Sequence, residues 1–177
     1  MPIGPIPEKN INFQVYLEGV VPMIGIAEAT LPSLESMSET VSGSGLAGEI
    51  DSPTTGHFGP MSVTLNFRTI TGDLFLLQTP NDKKIELRGA TQTYDPILGI
   101  RRTEGIRVAC TAIPKNLDLG TFNVGATGDV TMEFEVVRLK IWIDDIPRLE
   151  LDKHAYKYVI DGVDHLLALR RVLAIGV

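Results

Sequence analysis

Hydrophobic and polar residues alternate at a period of two along three stretches of the chain, the pattern of strands with one buried face. The apolar positions are Ile11, Phe13, Val15 and Leu17; Met61, Val63, Leu65 and Phe67; and Val130, Met132, Phe134 and Val136. In the third stretch the phase slips by one residue, and Val137, Leu139, Ile141 and Ile143 become the apolar positions. The slip predicts a β-bulge near Val136-Val137 inside a strand over 129–143.

Weaker alternation predicts further strands near 20–31, 85–94, 100–113, 147–152 and 156–160. Signals for helices are few. Thr71-Gly72-Asp73 is typical of a cap for a short helix, and Asp164 predicts the start of a C-terminal helix. The 177 residues suit a single domain over 1–177. The pattern therefore predicts a mainly β fold, an antiparallel sandwich or barrel with a short flanking helix and a C-terminal helix.

Residues 33–60 do not fit a compact β domain, because they are rich in glycine, serine and threonine and show no sustained periodicity. A loop this long is usually functional or disordered. It nevertheless contains apolar residues at fairly regular intervals, which a solvated linker would not need. We expect this segment to order on a neighbouring subunit, with intersubunit contacts made by Leu34, Met37, Val41, Leu46, Ile50 and Phe58. Residues 1–10, which are rich in proline, form a predicted N-terminal arm.

Charge and cysteine content narrow the function classes. The net charge is −6 with both signs dispersed, so no basic patch indicates tight binding to nucleic acid. The single cysteine, Cys110, rules out an intramolecular disulfide and suits a reducing cytoplasm. It lies in an apolar alternation typical of a buried thiol. The N-terminus lacks the apolar stretch of a signal peptide, and no apolar run is long enough to predict a membrane-spanning helix.

No catalytic, cofactor or metal motif stands above background. Residues 43–48 match G-x-G-x-x-G, but a dinucleotide site needs a strand before the motif and a helix after it, and Pro53 and Pro60 oppose that helix. His57, His154 and His165 lack the spacing of metal ligands. Asp144-Asp145 lies where a strand ends before Pro147, so a turn explains the pair. We expect a protein that is not an enzyme and binds no cofactor or metal.

Three separated segments resemble the major tail tube proteins of contractile-tailed phages and R-type bacteriocins. They are the opening Ile6-Pro7-Glu8-Lys9-Asn10-Ile11-Asn12-Phe13, the run from Leu31-Pro32-Ser33-Leu34-Glu35 through Gly43–Gly48 to Gly56-His57-Phe58, and the closing Asp161-Gly162-Val163-Asp164-His165-Leu166-Leu167. Relatives often have asparagine where this chain has Asp161, a mild change in a turn before glycine. Residues 85–130 match only in their strand pattern.

The resemblance implies a subunit that forms hexameric rings, which stack into a tube inside a contractile sheath. The implied partners are other copies of the chain, the sheath, the baseplate and the tail terminator, with DNA passing through the lumen in a phage. The implied location is a phage virion or a bacteriocin particle, built from protein made in the bacterial host cytoplasm. A wall that lets DNA slide should be neutral to acidic. Our candidates for lumen residues are Glu86, Thr131, Glu133 and Glu135.

Three alternatives remain at this stage. A ligand-binding β-barrel of the lipocalin type would use residues 33–60 as a lid. An enzyme would use the glycine-rich motif as a phosphate site. A tube related to type VI secretion would share the fold and the mode of assembly.

Overall fold

The computed structural model describes residues 4–19 and 21–175. Each predicted strand region is present, with shifted ends. The strands are β1 (Ile6–Leu17), β2 (Val21–Met23), β3 (Ile26–Thr30), β4 (Ser36–Val41), β5 (Ile50–Phe58), β6 (Ser62–Phe67), β7 (Lys83–Asp95), β8 (Ile100–Asp118), β9 (Val130–Ile143), β10 (Ile146–Asp152), β11 (Lys157–Ile160) and β12 (Val163–Asp164), and the helices are α1 (Gly72–Leu77) and α2 (Leu167–Leu173).

Ten of these strands form one antiparallel sheet. Eight of them follow the path β12-β11-β10-β9-β8-β7-β1-β2. A branch leaves this path at β9, where β6 pairs with β9 and β3 pairs with β6. The sheet is not a closed barrel, so of the two predicted architectures the sandwich-like one is confirmed. The remaining strands, β4 and β5, pair only with each other.

The long strand β9 belongs to both parts of the sheet because it changes partners along its length. Residues 130–135 pair with β6, whereas residues 138–143 pair with β10. The predicted bulge lies between these parts: Thr111 pairs with Arg138 and Ala112 with Val136, so Val137 is the extra residue. The bulge lets Val136 and Leu139 both face the interior, which explains the shift of apolar phase in the sequence.

A single hydrophobic core joins the two parts. Fully buried side chains from the branch pack with those of the main path and of α1; the largest are Phe134, Met61, Leu65, Leu74, Leu77, Met132 and Leu139. These side chains fill the interior of the fold, whereas a lipocalin barrel holds its ligand in its interior. The fold therefore gives no support to the ligand-barrel alternative.

Two predicted segments differ from the structure. Residues 6–10 of the predicted N-terminal arm belong to β1 and pair with β7, while residues 1–3 lie outside the described residues. The C-terminal helix begins at Leu167 rather than near Asp164. The Asp164 carboxylate instead accepts a hydrogen bond from the Leu166 N–H at 3.0 Å and pairs with Arg170 at 2.6 Å, so it stabilises the turn that precedes the helix.

Candidate assembly surfaces

Within the segment predicted as a long loop, the structure forms a β-hairpin from β4 and β5, which we call the arm hairpin. Val41 lies opposite Ile50, and Thr40 lies opposite Asp51. Every residue of β4 is exposed, as are the first six of β5. An isolated two-stranded ribbon is marginally stable in water, because neither of its faces is covered. The alternation of such short strands was hidden by glycine and serine in the sequence.

The arm hairpin has two unlike faces. Val41 and Ile50 are cross-strand neighbours on one face, where Glu39 and Ser52 form the next pair. Met37 lies at the register shift that follows. The opposite face carries Thr40 and a hydrogen bond from Ser38 to Asp51 at 3.0 Å. Five of the six predicted contact residues are exposed and lie on or near this ribbon: Leu34 (39%), Met37 (57%), Val41 (47%), Leu46 (41%) and Ile50 (53%).

The sixth, Phe58, contacts its own subunit. Its ring packs edge-to-face on Tyr158 with the centroids 5.0 Å apart, and it borders the core. Gly56 passes so close to Leu166 that an added Cβ would lie 2.4 Å from its side chain, and its φ of +71° also favours glycine. Lys153 Nζ donates to the Gly59 carbonyl at 3.1 Å. These contacts fix the base of the arm hairpin on the C-terminal elements, so Phe58 marks its anchor.

The glycine-rich motif at residues 43–48 forms the tip of the arm hairpin. Gly45 has a φ of +96°, and the Leu46 N–H donates to the Gly43 carbonyl at 3.2 Å across a turn. The motif therefore joins two antiparallel strands, whereas a dinucleotide site needs a strand-to-helix junction in a βαβ unit.

Three of the four lumen candidates lie on one polar face. Thr131, Glu133 and Glu135 alternate with the buried side chains of β9, as predicted. Neighbouring strands extend this surface, which we call the polar branch face: its polar members are Glu28, Thr30, Ser62, Thr64, Asn66, Asn116, Asp118, Thr131, Glu133 and Glu135. Ile113, opposite Glu135 and 40% exposed, lies on the same face. The fourth candidate, Glu86, lies on β7, outside this branch, where Arg88 pairs with it at 2.6 Å.

Lysines balance part of the negative charge on the polar branch face. Lys115 Nζ lies 2.8 Å from Glu133, and Lys153 Nζ lies 3.0 Å from Glu135. The hydrogen bond from Lys115 lowers the pKa of the Glu133 carboxyl. With Glu28 and Asp118 included, the face holds four carboxylates and these two lysines, so it is mildly acidic.

Both sides of the branch have open strand edges. Among residues 4–19 and 21–175, β3 pairs only with β6, which leaves its other edge free there. On the other side β7 stops pairing with β8 at Ala112, so residues 113–118 of β8 also have a free edge. Unpaired edges are ready templates for pairing with another chain.

Sequence reasoning missed two further exposed apolar surfaces. One is the turn between β7 and β8, where Ile97 and Leu98 are 73% and 59% exposed. The other is the loop between β8 and β9, where Phe122 and Val124 are 87% and 109% exposed. Neither shows a hydrophobic periodicity, because each lies in a connection between strands, so only the presence of apolar residues among turn formers could have indicated them.

The side chains considered above as candidates for catalysis or metal binding have structural roles or lack the neighbours that such a site needs. Burial raises the pKa of the Cys110 thiol to about 12, so it is not a nucleophile. Asp144 and Asp145 form the predicted two-residue turn between β9 and β10, both with positive φ. Within residues 4–19 and 21–175, no group of His, Cys, Asp and Glu side chains could hold a metal ion. The helices in the same part of the chain are all too short or too polar to span a membrane.

These features define a class: a β subunit with an exposed ribbon, open sheet edges and a compact core. A model of the family described as phage tail tube protein FII matches residues 7–174. The chain therefore belongs to the phage tail tube protein FII family, and it is a tail structural protein of a virion or tail-like particle. The family is a structural one, not a family of enzymes.

Other comparisons add little. No curated protein matches the chain. One solved structure similar to it is described as "Cryo-EM structure of the anti-feeding prophage (AFP) baseplate, 6-fold symmetrised". The two chains are 9% identical with a TM-score of 0.40, and the match covers 73% of this chain and 90% of the other.

Proposed function

We propose that this protein forms hexameric rings that stack into the inner tube of a contractile tail, in a phage or a phage-derived bacteriocin. The observation that carries the proposal, beside family membership, is the pair of open edges on one four-stranded unit. The unit runs β3-β6-β9-β8, and its free edges are β3 on one side and residues 113–118 of β8 on the other.

Two different edges on opposite sides suit a heterologous contact, in which each copy uses one edge toward each neighbour. Such contacts close into a ring when the rotation between copies permits it. Pairing β3 of one copy with β8 of the next would join the branches into one continuous barrel and remove the open edges. The polar branch face would then line the lumen, since the opposite face of the same strands is buried in the core.

A mildly acidic lumen suits passage of DNA. Each phosphate that a cationic wall neutralises would release counterions and hold the DNA more tightly, so small attractions would add up along a tube. Residual negative charge avoids this, and the lysine pairs of Glu133 and Glu135 limit repulsion between copies. The sheath would surround the tube, and the baseplate and terminator would cap its ends.

The arm hairpin is the proposed connector between rings. The matched test replaces Thr40–Asp51 with Asn-Gly, which can turn the chain between the paired residues Glu39 and Ser52 and keeps the anchor at Phe58. We expect a folded subunit with an unchanged melting temperature that forms rings but no long tubes in negative-stain images. Tubes of normal length from this variant would show that the arm hairpin is not the connector, and a wild-type protein that forms neither rings nor tubes would overturn the proposal.

The lumen assignment has its own test. Replacing Glu133 and Glu135 with lysine should leave ring formation intact and make tubes retain DNA, with affinity that falls as salt rises. The control makes the same charge change at Glu86 and Glu104, which lie outside the polar branch face. Equal DNA retention by both variants would show that the polar branch face does not line the lumen.

A further inference from the structure

The loop between β8 and β9, residues 119–129, presents an aromatic ring on a rigid support. Phe122 is 87% exposed and Val124 is 109% exposed. No charged residue lies between Leu119 and Gly128. A fully exposed Phe and Val side by side leave a large apolar area in water, which is typical of an interaction site.

Hydrogen bonds hold this loop in one shape. The Thr121 N–H donates to the Gly128 carbonyl at 2.9 Å, and the Gly128 N–H donates to the Arg68 carbonyl at 2.6 Å. Asp118 accepts from the Gly120 N–H at 2.9 Å. Gly120 has a φ of +67°, and a Cβ there would lie 1.9 Å from the Gly128 carbonyl oxygen, so the two sides of the loop touch. The Ala126 N–H donates to the Asn123 carbonyl at 3.3 Å across the tip. A loop closed at its base and turned at its tip loses less conformational entropy on binding than an open loop of the same length.

The position of the loop points to its occupant. It meets the branch at the end where Phe67 pairs with Val130, the last residue of β6 and the first of β9. The arm hairpin joins the same branch at the opposite end, because it connects Thr30 of β3 to Ser62 of β6. The six residues of β6 separate the two ends by about 20 Å. The loop 119–129 and the arm hairpin are thus exposed apolar projections at opposite ends of one sheet.

We propose that the loop 119–129 of one copy docks on the apolar face of the arm hairpin of a second copy in the next ring. Phe122 and Val124 would pack against Met37, Val41, Leu46 and Ile50. Contacts between unlike surfaces at opposite ends repeat without limit along an axis, which a tube requires. The arm hairpin carries three carboxylates and no lysine or arginine, so an uncharged tip can approach it without repulsion. The inference rests on the proposed tube and names the partner of the arm hairpin within it.

Cross-linking of introduced cysteines tests the contact in assembled tubes. Two single variants are prepared, Val124→Cys and Leu46→Cys, and the buried Cys110 does not compete because its pKa is about 12. Tubes assembled from a mixture of the two should give a disulfide-linked dimer on oxidation, and tubes of either variant alone should give none. The control mixture pairs Leu46→Cys with Val172→Cys, which is 83% exposed on α2, and should also give none.

A second variant separates an effect on the stability of the subunit from an effect on its assembly. The Phe122→Ser, Val124→Ser variant should melt with the wild type, since both side chains are solvent-exposed. It should form rings but lose long tubes, because truncating an aromatic anchor weakens each axial contact by roughly 30-fold or more. Tubes without cross-links in the test mixture, or dimers from Val124→Cys alone, would overturn the proposed docking while leaving the tube intact. Wild-type protein without rings or tubes would overturn both.

Discussion

The β6–β9 pair and the arm hairpin are both antiparallel ribbons, yet they differ in what covers their apolar side chains. Over the paired residues 62–67 of β6 and 130–135 of β9 every second side chain is buried against the core, down to 0% exposure at Leu65 and Phe134. In the arm hairpin the apolar Val41 and Ile50 are about half exposed, because no second layer lies over them. Strand pairing alone therefore does not decide whether a two-stranded ribbon buries its apolar side chains within its own subunit.

The difference separates two uses of the same pattern. A covered ribbon stabilises its own subunit, since burial of apolar area contributes about 25 cal/mol per Å². An uncovered ribbon leaves that free energy available for association with another chain. The arm hairpin is an uncovered ribbon, and the loop 119–129 likewise leaves apolar side chains exposed. On the polar branch face, the polar side chains of β9 point outward because they alternate with the buried ones. Each part can be tested by substitutions that match in chemistry and differ only in burial.

The largest change in the free energy of unfolding is expected at Phe134, and it tests the role of the covered ribbon. Phe134→Ala should lower the free energy of unfolding by about 3–5 kcal/mol, because it removes a fully buried ring and leaves a cavity. Its matched control is Phe122→Ala, where the same atoms are lost from a ring that is 87% exposed, and the expected change is within about 0.5 kcal/mol. Chemical denaturation of both variants measures the contrast. Equal losses would mean that the loop 119–129 is packed against its own subunit.

The sequence predicted the covered part of the fold well, because burial leaves a periodic record. Met132 and Phe134 mark the core face, and the phase slip at Val137 located the bulge. It predicted the arm hairpin as a loop because the ribbon is polar at most positions, with glycine at its tip. Pairing of Val41 with Ile50 depends on the turn between them, which periodicity does not record.

The sequence predicted the placement of some candidate lumen residues and not of others. The alternation of β9 placed Glu133 and Glu135 on the outward face, and their positions on the polar branch face agree with that placement. Glu86 shares the charge of these residues but not their strand or neighbourhood, since β7 lies outside the branch. The lysine partners come from distant positions in the chain, Lys115 and Lys153, so ion pairing could not be inferred without the fold.

Acid should destabilise the C-terminal elements, which hold the base of the arm hairpin. Burial opposes ionisation of Asp164, but hydrogen bonds from Arg170 and from the Leu166 N–H outweigh it and keep its pKa below the ordinary value. The Asp152 pKa is lowered in the same way, against burial, by the Ala155 N–H and Arg138. A lowered pKa in the folded state means that the ionised carboxylates stabilise the fold above the unfolded-state pKa of about 3.9. This stability is lost as pH falls further through the lower folded-state values.

The variant Asp164→Asn isolates one of these carboxylates. At pH 6 it should be less stable than the wild type by about 1–2 kcal/mol, since Arg170 loses its charged partner. The deficit should shrink as pH falls toward 3, because the wild-type carboxylate becomes protonated as well. Thermal melts at several pH values measure the difference. A deficit that is constant with pH would show that the charge of Asp164 does not contribute.

The smallest expected change in stability is in the arm hairpin, and it provides the sharpest test of the comparison. Val41→Ser with Ile50→Ser should change the free energy of unfolding by less than about 0.5 kcal/mol, because both side chains are about half exposed and contact no core residue. The same variant should fail to form long tubes, since the face it alters is the one that we propose docks on the next ring. The control, Ser38→Ala with Thr40→Ala, alters the opposite face and should leave tubes intact.

Melting curves measure the stability of the subunit, and negative-stain images show whether long tubes form. A large loss of stability would place Val41 and Ile50 in the core of their own subunit, and normal tubes would assign the axial contact to another surface. An unchanged melt with lost tubes is the outcome that only an uncovered ribbon produces, because its apolar area stabilises nothing until a second chain covers it.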